Sequence, residues 1–149
     1  MSKKIGLKKF FPEDELLIKE LLEIMHQSLL DYSFTFRLLS EYLINLDNII
    51  ESFEEQFKSW VKKWQNRLLK ENQSLDEIRK LMCSVNPAII PRNHQVEKVI
   101  NFAIEKNDFS KMENLLKALQ DPYVTDTKFH EYTIPPEPNQ RVCQTFCGT

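Results

Sequence analysis

Glycine is nearly missing from this sequence of 149 residues, in which only Gly6 and Gly148 occur. Loops that hold phosphate groups need glycine, because a residue without a Cβ lets backbone N–H groups approach the phosphate oxygens closely. Neither G-x-G-x-x-G nor G-x-x-x-x-G-K-[ST] can be written anywhere in the chain. We therefore expect this chain to bind no nucleotide through its own residues. With no set of metal ligands in view, we also expect it to hold no metal or other cofactor.

Long apolar runs, a set of paired cysteines and an excess of charge are also lacking. No run approaches the roughly 18–20 apolar residues of a membrane span, and three acidic residues at 13–15 interrupt what could resemble a signal peptide. Three cysteines fit a reducing compartment better than a disulfide framework. A net charge of −2 gives no general attraction to nucleic acid or to acidic membranes. These features predict a cytoplasmic protein that binds neither nucleic acid nor a membrane.

Helical periodicity is abundant before residue 121. Apolar residues recur at steps of three and four, as in amphipathic helices. The buried stripes are expected to include Leu29 in the first helix, Ile100 and Ile104 in the fifth, and Leu116 in the sixth. The predicted helices lie at about 13–29, 33–44, 47–70, 75–83, 94–106 and 111–120.

Prolines and capping residues divide these helices. Two prolines four residues apart exclude a helix through Asn86 to His94, which reads NPAIIPRNH. Ser74 and Ser110 each precede a glutamate by three residues, the capping-box pattern that begins a helix. Asn93 is expected to cap the helix that follows the prolines.

Residues 122–149 lose the helical periodicity. Three prolines within 135–138 favour extended backbone, yet the segment is too apolar for a typical disordered tail. We expect it to lie along the folded surface. The predicted fold class is therefore all-α, an irregular helical array at 1–121 followed by an extended, proline-rich tail.

Two patterns could suggest chemistry, and each has a simpler interpretation. Asp108-Phe109-Ser110 looks like the metal-binding D-F-G of protein kinases, but Ser110 is expected to cap a helix and no H-R-D loop precedes it. Basic residues beside two tryptophans at 58–70 resemble a nucleic-acid surface. The tryptophans lie on the apolar stripe and the cations lie off it, which favours a solvated helix face.

The cysteines allow several interpretations. His130, Cys143 and Cys147 could be imagined as zinc ligands, but there are only three of them and no C-x-x-C knuckle. Cys147, third from the end beside Gly148, is free enough to reach a redox partner, although its position alone favours an incidental thiol. Cys83 is expected to be a small buried hydrophobe.

Several motifs together resemble the selenoprotein O family, also called YdiU. The resemblance spans nearly the whole chain and is most specific at 86–97 and 141–149. Its motifs, which follow one another in the family's order, are Lys4-Ile5-Gly6-Leu7, DYSFTFR at 31–37, NPAIIPRNH at 86–94, Asp121-Pro122-Tyr123 and the terminal Cys147.

The resemblance implies a protein-kinase-like fold with a degenerate active site, a pseudokinase that transfers AMP from ATP to hydroxyl side chains of other proteins. The matched segments belong to the last quarter to third of such a protein. The family's nucleotide-binding loop and metal ligands lie upstream, so ATP and Mg²⁺ are implied for the full-length family only. The chain would then be an inactive C-terminal fragment. Its partners would be the catalytic N-terminal part and the protein substrates of the parent.

The alternative is a free-standing helical interaction module without catalysis, which would dock a partner helix through its apolar stripes.

The resemblance carries over one functional position. Cys147 matches a cysteine or selenocysteine near the end of family members, which implies a redox role. Its partner cysteine in the catalytic body has no counterpart here, and Cys143 is a local alternative. Arg92, Asn93 and His94 match a family motif of unknown role, for which anchoring the next helix is the favoured interpretation. No catalytic, cofactor-binding or metal-binding residue is predicted.

Overall fold

The structure, a computed structural model, describes residues 1–41, 43 and 53–141, and all regular elements in this part of the chain are helical. The predicted all-α class is therefore confirmed. Short 3-10 helices occupy Ser2–Ile5, Thr127–Thr133 and Pro138–Gln140. The α-helices are α1 (Glu13–Gln27), α2 (Tyr32–Glu41), α3 (Glu55–Leu68), α4 (Leu75–Val85), α5 (Asn93–Lys106) and α6 (Ser110–Gln120).

Two compact units divide the chain, Met1–Pro87 and Ala88–Thr149. The division falls inside the proline-containing stretch, where the sequence already excludes a continuous helix. Among the described residues, each helix is either too short or too polar to cross a lipid bilayer.

The apolar stripe of α3 forms the centre of the first unit. Trp60 and Trp64 are both buried, and their stacked rings have centroids 5.6 Å apart. Their indole N–H groups donate to the carbonyl oxygens of Leu17 and Ile5, each at 2.8 Å, which gives a buried indole the acceptor that it needs. The tryptophans therefore face the core as predicted, while Lys62 and Lys63 on the same helix are exposed.

Gly6 lies inside the same core and not in a phosphate-binding loop. Its φ is +79°, a left-handed conformation that glycine adopts without steric cost. A Cβ at this position would lie 2.5 Å from Cγ2 of Ile78. The glycine therefore permits close packing of the 2–5 turn against α4.

In the second unit, α5 and α6 pack against each other and the 127–133 turn packs on α6. The backbone N–H groups of Ala88 and Ile89 both donate to the carbonyl oxygen of Pro122, at 2.7 and 3.1 Å. This joins the NPAIIPRNH stretch to the DPY segment. The buried core residues are Ala88, Ile89, Val99, Leu115, Ala118 and Tyr132.

The extended backbone predicted after residue 121 is not found at 127–133, which is a 3-10 helix. The Asp126 carboxylate accepts a hydrogen bond from the Lys128 N–H at 3.0 Å and so begins the turn. Tyr132 and Phe129 then pack into the core of the second unit, so this apolar part of the segment is held by burial.

The first helix ends two residues earlier than predicted. Leu29 has a φ of +52° and is 66% exposed, so it is not part of the buried stripe. The N–H of Leu30 donates to the carbonyl oxygen of Met25 at 2.9 Å, closing the helix with a left-handed turn.

The third helix was predicted to begin at residue 47. Residues 47–52 lie outside the part of the chain that the structure describes. Phe53 and Glu54 are described and are not helical. Glu54 has extended dihedral angles, and its carbonyl oxygen accepts from the N–H groups of Phe57 and Lys58. The helix therefore begins at Glu55, because Glu54 occupies the position before its first turn.

Of the predicted caps, only Ser74 is confirmed. Its hydroxyl accepts from the Glu77 N–H while the Glu77 carboxylate accepts from the Ser74 N–H. Ser110 is instead the first residue of α6, and its N–H donates to the Asp108 carboxylate at 2.8 Å. Asn93 is likewise the first residue of α5, and its side chain caps nothing.

Besides Leu29, three residues predicted to be buried are exposed. Ile100 is 41% exposed and Ile104 is 76% exposed on α5, and Leu116 is 58% exposed on α6. The core faces of these helices consist of other residues, among them the buried Ala103 and Ala118.

Candidate functional site

Asn86, the first residue of the NPAIIPRNH motif, joins three segments of the first unit. It is completely buried. Its amide nitrogen donates to the Lys4 carbonyl oxygen at 2.8 Å and to the Ser40 hydroxyl at 2.9 Å. Its backbone carbonyl oxygen accepts from Arg37 at 2.9 Å. Three motifs that are far apart in the sequence, KIGL, DYSFTFR and NPAIIPRNH, thus meet at one asparagine.

The Lys4 ammonium group is held from two sides. It donates to the side-chain oxygen of Asn86 at 3.2 Å and to the carbonyl oxygen of Val85 at 3.3 Å. The ring centroids of Tyr32 and Phe36 lie 5.7 and 5.5 Å from its nitrogen, within reach of a cation–π attraction. Lys4 therefore ties the 2–5 turn to α2 and to the end of α4.

The Arg37 guanidinium reaches the same end of α4. Its Nη1 also approaches the Cys83 carbonyl oxygen at 3.4 Å, and its Nε donates to the Glu41 carboxylate at 2.7 Å. Carbonyl groups in the last turn of a helix lack partners within the helix and carry partial negative charge. Two cations at this terminus stabilise α4.

A second buried cluster joins α1 to α3. Arg67 donates to both carboxylate oxygens of Asp14, at 2.6 and 2.9 Å, and to Glu71 at 2.9 Å. Burial by itself raises the pKa of the Asp14 carboxyl, but the hydrogen bonds from Arg67 and from the Phe11 N–H outweigh it, so the pKa lies below the ordinary value. The bond to Asp14 raises the pKa of the Arg67 guanidinium in turn. Both shifts favour the charged forms of Asp14 and Arg67.

An open depression of about 570 Å³ lies between α1 and α3. Glu20, Glu23 and Glu55 contribute to its rim, and Lys63 pairs with Glu20 at 3.0 Å. Charges of both signs line this depression, and no set of polar groups converges on a common point there.

The described residues do not fit magnesium-bound ATP. The most deeply buried carboxylates, Asp14 and Glu71, are both bound to Arg67. In residues 1–41, 43 and 53–141, no three His, Cys, Asp or Glu side chains are grouped as a metal ion requires. Gly6, which could have approached a phosphate, packs against Ile78. No step of nucleotide chemistry can be derived from these groups.

The three residues of the Arg92–His94 motif differ in how deeply they are buried in the second unit. Arg92 is buried, and its carbonyl oxygen accepts from the N–H of Gln95 at 3.0 Å at the start of α5. Gln95 is buried beside it and donates to the Glu131 carbonyl oxygen at 3.1 Å. His94 is half-buried, whereas Asn93 is exposed. Anchoring of the helix therefore suits Arg92 but not Asn93.

The redox candidate Cys147 and its local alternative Cys143 lie outside the described residues. Cys83 is a free thiol and is half-buried rather than fully buried. His130, the third imagined zinc ligand, is exposed. Asp108 of the D-F-G-like triplet accepts from the Ser110 N–H, which explains its presence without a metal.

Sequence reasoning recognised the segments that contain Lys4, Arg37 and Asn86 but assigned these residues no role. A lysine in a basic leading segment looks the same as a solvated lysine. The only signal was the position of each residue inside a motif, and only the folded chain shows that the three motifs meet.

Comparison with known proteins places this chain beside a group of enzymes. A family model described as "Protein adenylyltransferase SelO" matches residues 1–120. Proteins named "Protein nucleotidyltransferase YdiU" from Bacillus cereus (strain AH820), Bacillus anthracis (strain CDC 684 / NRRL 3495) and Bacillus thuringiensis (strain Al Hakam) are 44%, 43% and 42% identical to it. Each alignment covers 149 residues, 100% of this chain, and 30% of the relative. The chain therefore spans less than a third of the length of these relatives.

Proposed function

We propose that this chain, which belongs to the SelO family of protein adenylyltransferases, is the helical C-terminal part of an enzyme that transfers AMP to other proteins. The observation that carries this proposal is the match over residues 1–120, which includes all three motifs that meet at Asn86. The 44% identity to a relative named a nucleotidyltransferase supports the same activity.

In this proposal the chain supplies a scaffold and the rest of the protein supplies the chemistry. The buried cations Arg37 and Arg67 hold helices together and are bound to Glu41 and Asp14, respectively. ATP and Mg²⁺ are held by residues outside this chain, in a kinase-like catalytic part. That part is accordingly the first partner that we propose.

The proposed substrates are proteins that present serine, threonine or tyrosine hydroxyl groups, and the proposed location is the cytoplasm. The hydroxyl oxygen attacks the α-phosphorus of ATP, the bond to the β-phosphate breaks, and pyrophosphate leaves. The hydroxyl proton passes to a base of the catalytic part. The helical part contributes by stabilising that part and by offering surface to the protein substrate.

The test uses ATP labelled in its α-phosphate, Mg²⁺ and the purified 149-residue chain. We expect no labelled protein when the chain is incubated alone. Label should appear on protein when the separately produced remainder of the Bacillus cereus relative is added. Incorporation of label by this chain alone would show that its own residues bind ATP and would overturn the proposal.

A helical interaction module without catalysis is the second candidate. It is favoured by the core of the first unit, where Trp60, Trp64, Phe36 and Phe57 are all at most 1% exposed. Such a module would be a cooperatively melting monomer with no affinity for the remainder of a SelO-type protein. The mixture described above distinguishes the two candidates, because only the first predicts association and labelling.

A further inference from the structure

Helix α5 presents a continuous row of exposed residues. Asn93, Glu97, Ile100 and Ile104 follow one another at steps of four, three and four, so they share one face of the helix. All four are exposed. We call this row the α5 ridge. It has two isoleucines at its C-terminal end and a polar amide at its N-terminal end.

The α5 ridge lies beside the core face of the helix, since Val96 precedes Ile100 by four residues and Ala103 follows it by three. Val99 and Ala103 are buried there, and Val96 packs against the same cluster. The apolar stripe of α5 is therefore wider than the part that its own unit buries, as expected of a helix that a further surface covers. Ile104, at 76% exposed, is left largely uncovered by the fold of this unit.

Asn93 adds a second observation. It belongs to the motif at 92–94, yet its side chain neither caps α5 nor makes a hydrogen bond within the described part of the chain. The neighbouring Arg92 points inward and is buried. An exposed asparagine in line with two exposed isoleucines is an arrangement that suits contact with another surface.

We propose that the α5 ridge is the surface by which the second unit binds the remaining part of a SelO-type protein. The inference rests on the proposed function, since it names the surface used by the partner proposed there. More than two thirds of the length of the Bacillus relatives lies outside this chain. Any face of the present residues that contacts that missing length must be exposed here, and the α5 ridge meets this condition.

The partner surface should match the ridge in chemistry. Two isoleucines one turn apart require an apolar depression. The Asn93 amide requires a donor and an acceptor near one end of that depression. The Glu97 carboxylate, which lies between Asn93 and the isoleucines, requires a cation or an N–H group. This excludes a strongly acidic partner surface.

The experiment measures the affinity of the full 149-residue chain for the separately produced remainder of the Bacillus cereus relative, by titration calorimetry. The test variant is Ile104→Lys and the matched control is Glu105→Gln, which changes the charge by the same one unit on a different side of α5. Because the buried isoleucine would be replaced by a charged side chain, Ile104→Lys should weaken binding by at least about tenfold. The control should bind like the wild type, and Asn93→Ala should weaken binding by a smaller factor.

Each other outcome is decisive. Binding that Ile104→Lys leaves unchanged would overturn the ridge assignment and leave the proposed function standing. Absence of binding by the wild-type chain would contradict both. A chain that forms dimers disrupted by Ile104→Lys in sedimentation would assign the ridge to a second copy instead. A clearly lower melting temperature for Ile104→Lys would show that the ridge is covered within the chain, and would also overturn the inference.

Discussion

Asn86 is a residue on which several backbone segments depend. Its side chain is buried, accepts from the Lys4 ammonium group, and donates to the Lys4 carbonyl oxygen and to the Ser40 hydroxyl. Leaving buried polar groups without partners costs about 1–3 kcal/mol each, more than the bonds themselves contribute. The amide therefore specifies how three segments are arranged, in addition to stabilising them.

Replacing this residue should be severe. We expect Asn86→Ala to lower the free energy of unfolding by about 2–4 kcal/mol, because the Lys4 carbonyl and the Ser40 hydroxyl lose a donor inside the core. Urea unfolding followed by tryptophan fluorescence measures the change. Asn72→Ala is the matched control, since Asn72 is exposed and its loss should cost less than about 0.5 kcal/mol. Equal effects of the two substitutions would contradict the role given to Asn86.

The cysteines permit a separate test of the redox proposal. The resemblance to the family implies a redox role for Cys147, whereas Cys83 is half-buried at the end of α4. We expect a thiol-specific probe to label Cys147 well before Cys83 in the native chain, because thiolate attack requires access. Mass spectrometry of the digested protein gives the order, and Cys147→Ser supplies the control. Equal or reversed labelling would remove the case for a redox role.

At the level of helices, the Asp14–Arg67 pair links α1 to α3. Asp14 is 1% exposed, and Arg67 binds both of its carboxylate oxygens. Removing one partner of a buried ion pair typically costs about 3–5 kcal/mol, because the other charge is left behind. The pair therefore stabilises the packing of two helices whose paired residues are about 50 positions apart in sequence.

The lowered pKa of Asp14 makes the contribution of this ion pair to stability depend on pH. A carboxyl whose pKa is lower in the folded state stabilises the protein above its unfolded pKa of about 3.9, and this contribution disappears as the pH falls through the folded value. We expect Asp14→Asn to be much less stable than the wild type at pH 7 and the difference to shrink below about pH 4.

Urea unfolding at a series of pH values measures this difference. Glu15→Gln, a substitution on an exposed neighbour, should show no such convergence. A gap between wild type and Asp14→Asn that is the same at pH 3 as at pH 7 would show that the carboxylate charge is not what matters.

Helix positions could be predicted from the sequence much better than helix contacts. The spacing of apolar residues identified the stripe of α3 with both tryptophans, and the Ser74 capping box was confirmed. The pattern failed at Ser110 because the Ser110 N–H donates to the Asp108 carboxylate. In a capping box that N–H group would donate to Glu113, and a motif match does not consider such a competitor. It failed at Ile104 because periodicity shows which residues share a face, and not what covers that face.

The buried cluster around Asn86 was beyond sequence reasoning for a different reason. Lys4 and Asn86 are 82 residues apart, and neither has a local partner that would reveal the pairing. Polar residues are expected at the surface unless something shows that they are satisfied inside. Only the folded backbone brings the Lys4 carbonyl, the Ser40 hydroxyl and the Asn86 amide within hydrogen-bonding distance.

On the scale of the whole molecule, the two hydrophobic clusters share no residue. Trp60 and Trp64, the only tryptophans in the sequence, both belong to the first cluster. Tryptophan fluorescence therefore reports on residues 1–87, whereas helical circular dichroism reports on both units.

This separation predicts a selective effect of Leu115→Ala. Leu115 is 5% exposed in the core of the second unit, and its truncation should cost about 2–5 kcal/mol there. We expect the circular-dichroism melting curve to gain an earlier transition while the fluorescence transition keeps its midpoint. Leu21→Ala, in the first core, should move the fluorescence transition instead. A shift of both signals by Leu115→Ala would show that the two units unfold together.

The bond between Lys4 and Asn86 also has a consequence for the order of events on the ribosome. Residues 4–7 are synthesised some eighty residues before the asparagine that holds them, and Ile5 and Leu7 must wait for α4 before they can be buried. Closing so long a loop is slow compared with forming a single helix. Until α4 has been made, the nascent chain therefore carries an uncovered apolar segment, which makes this segment a natural early target for chaperones.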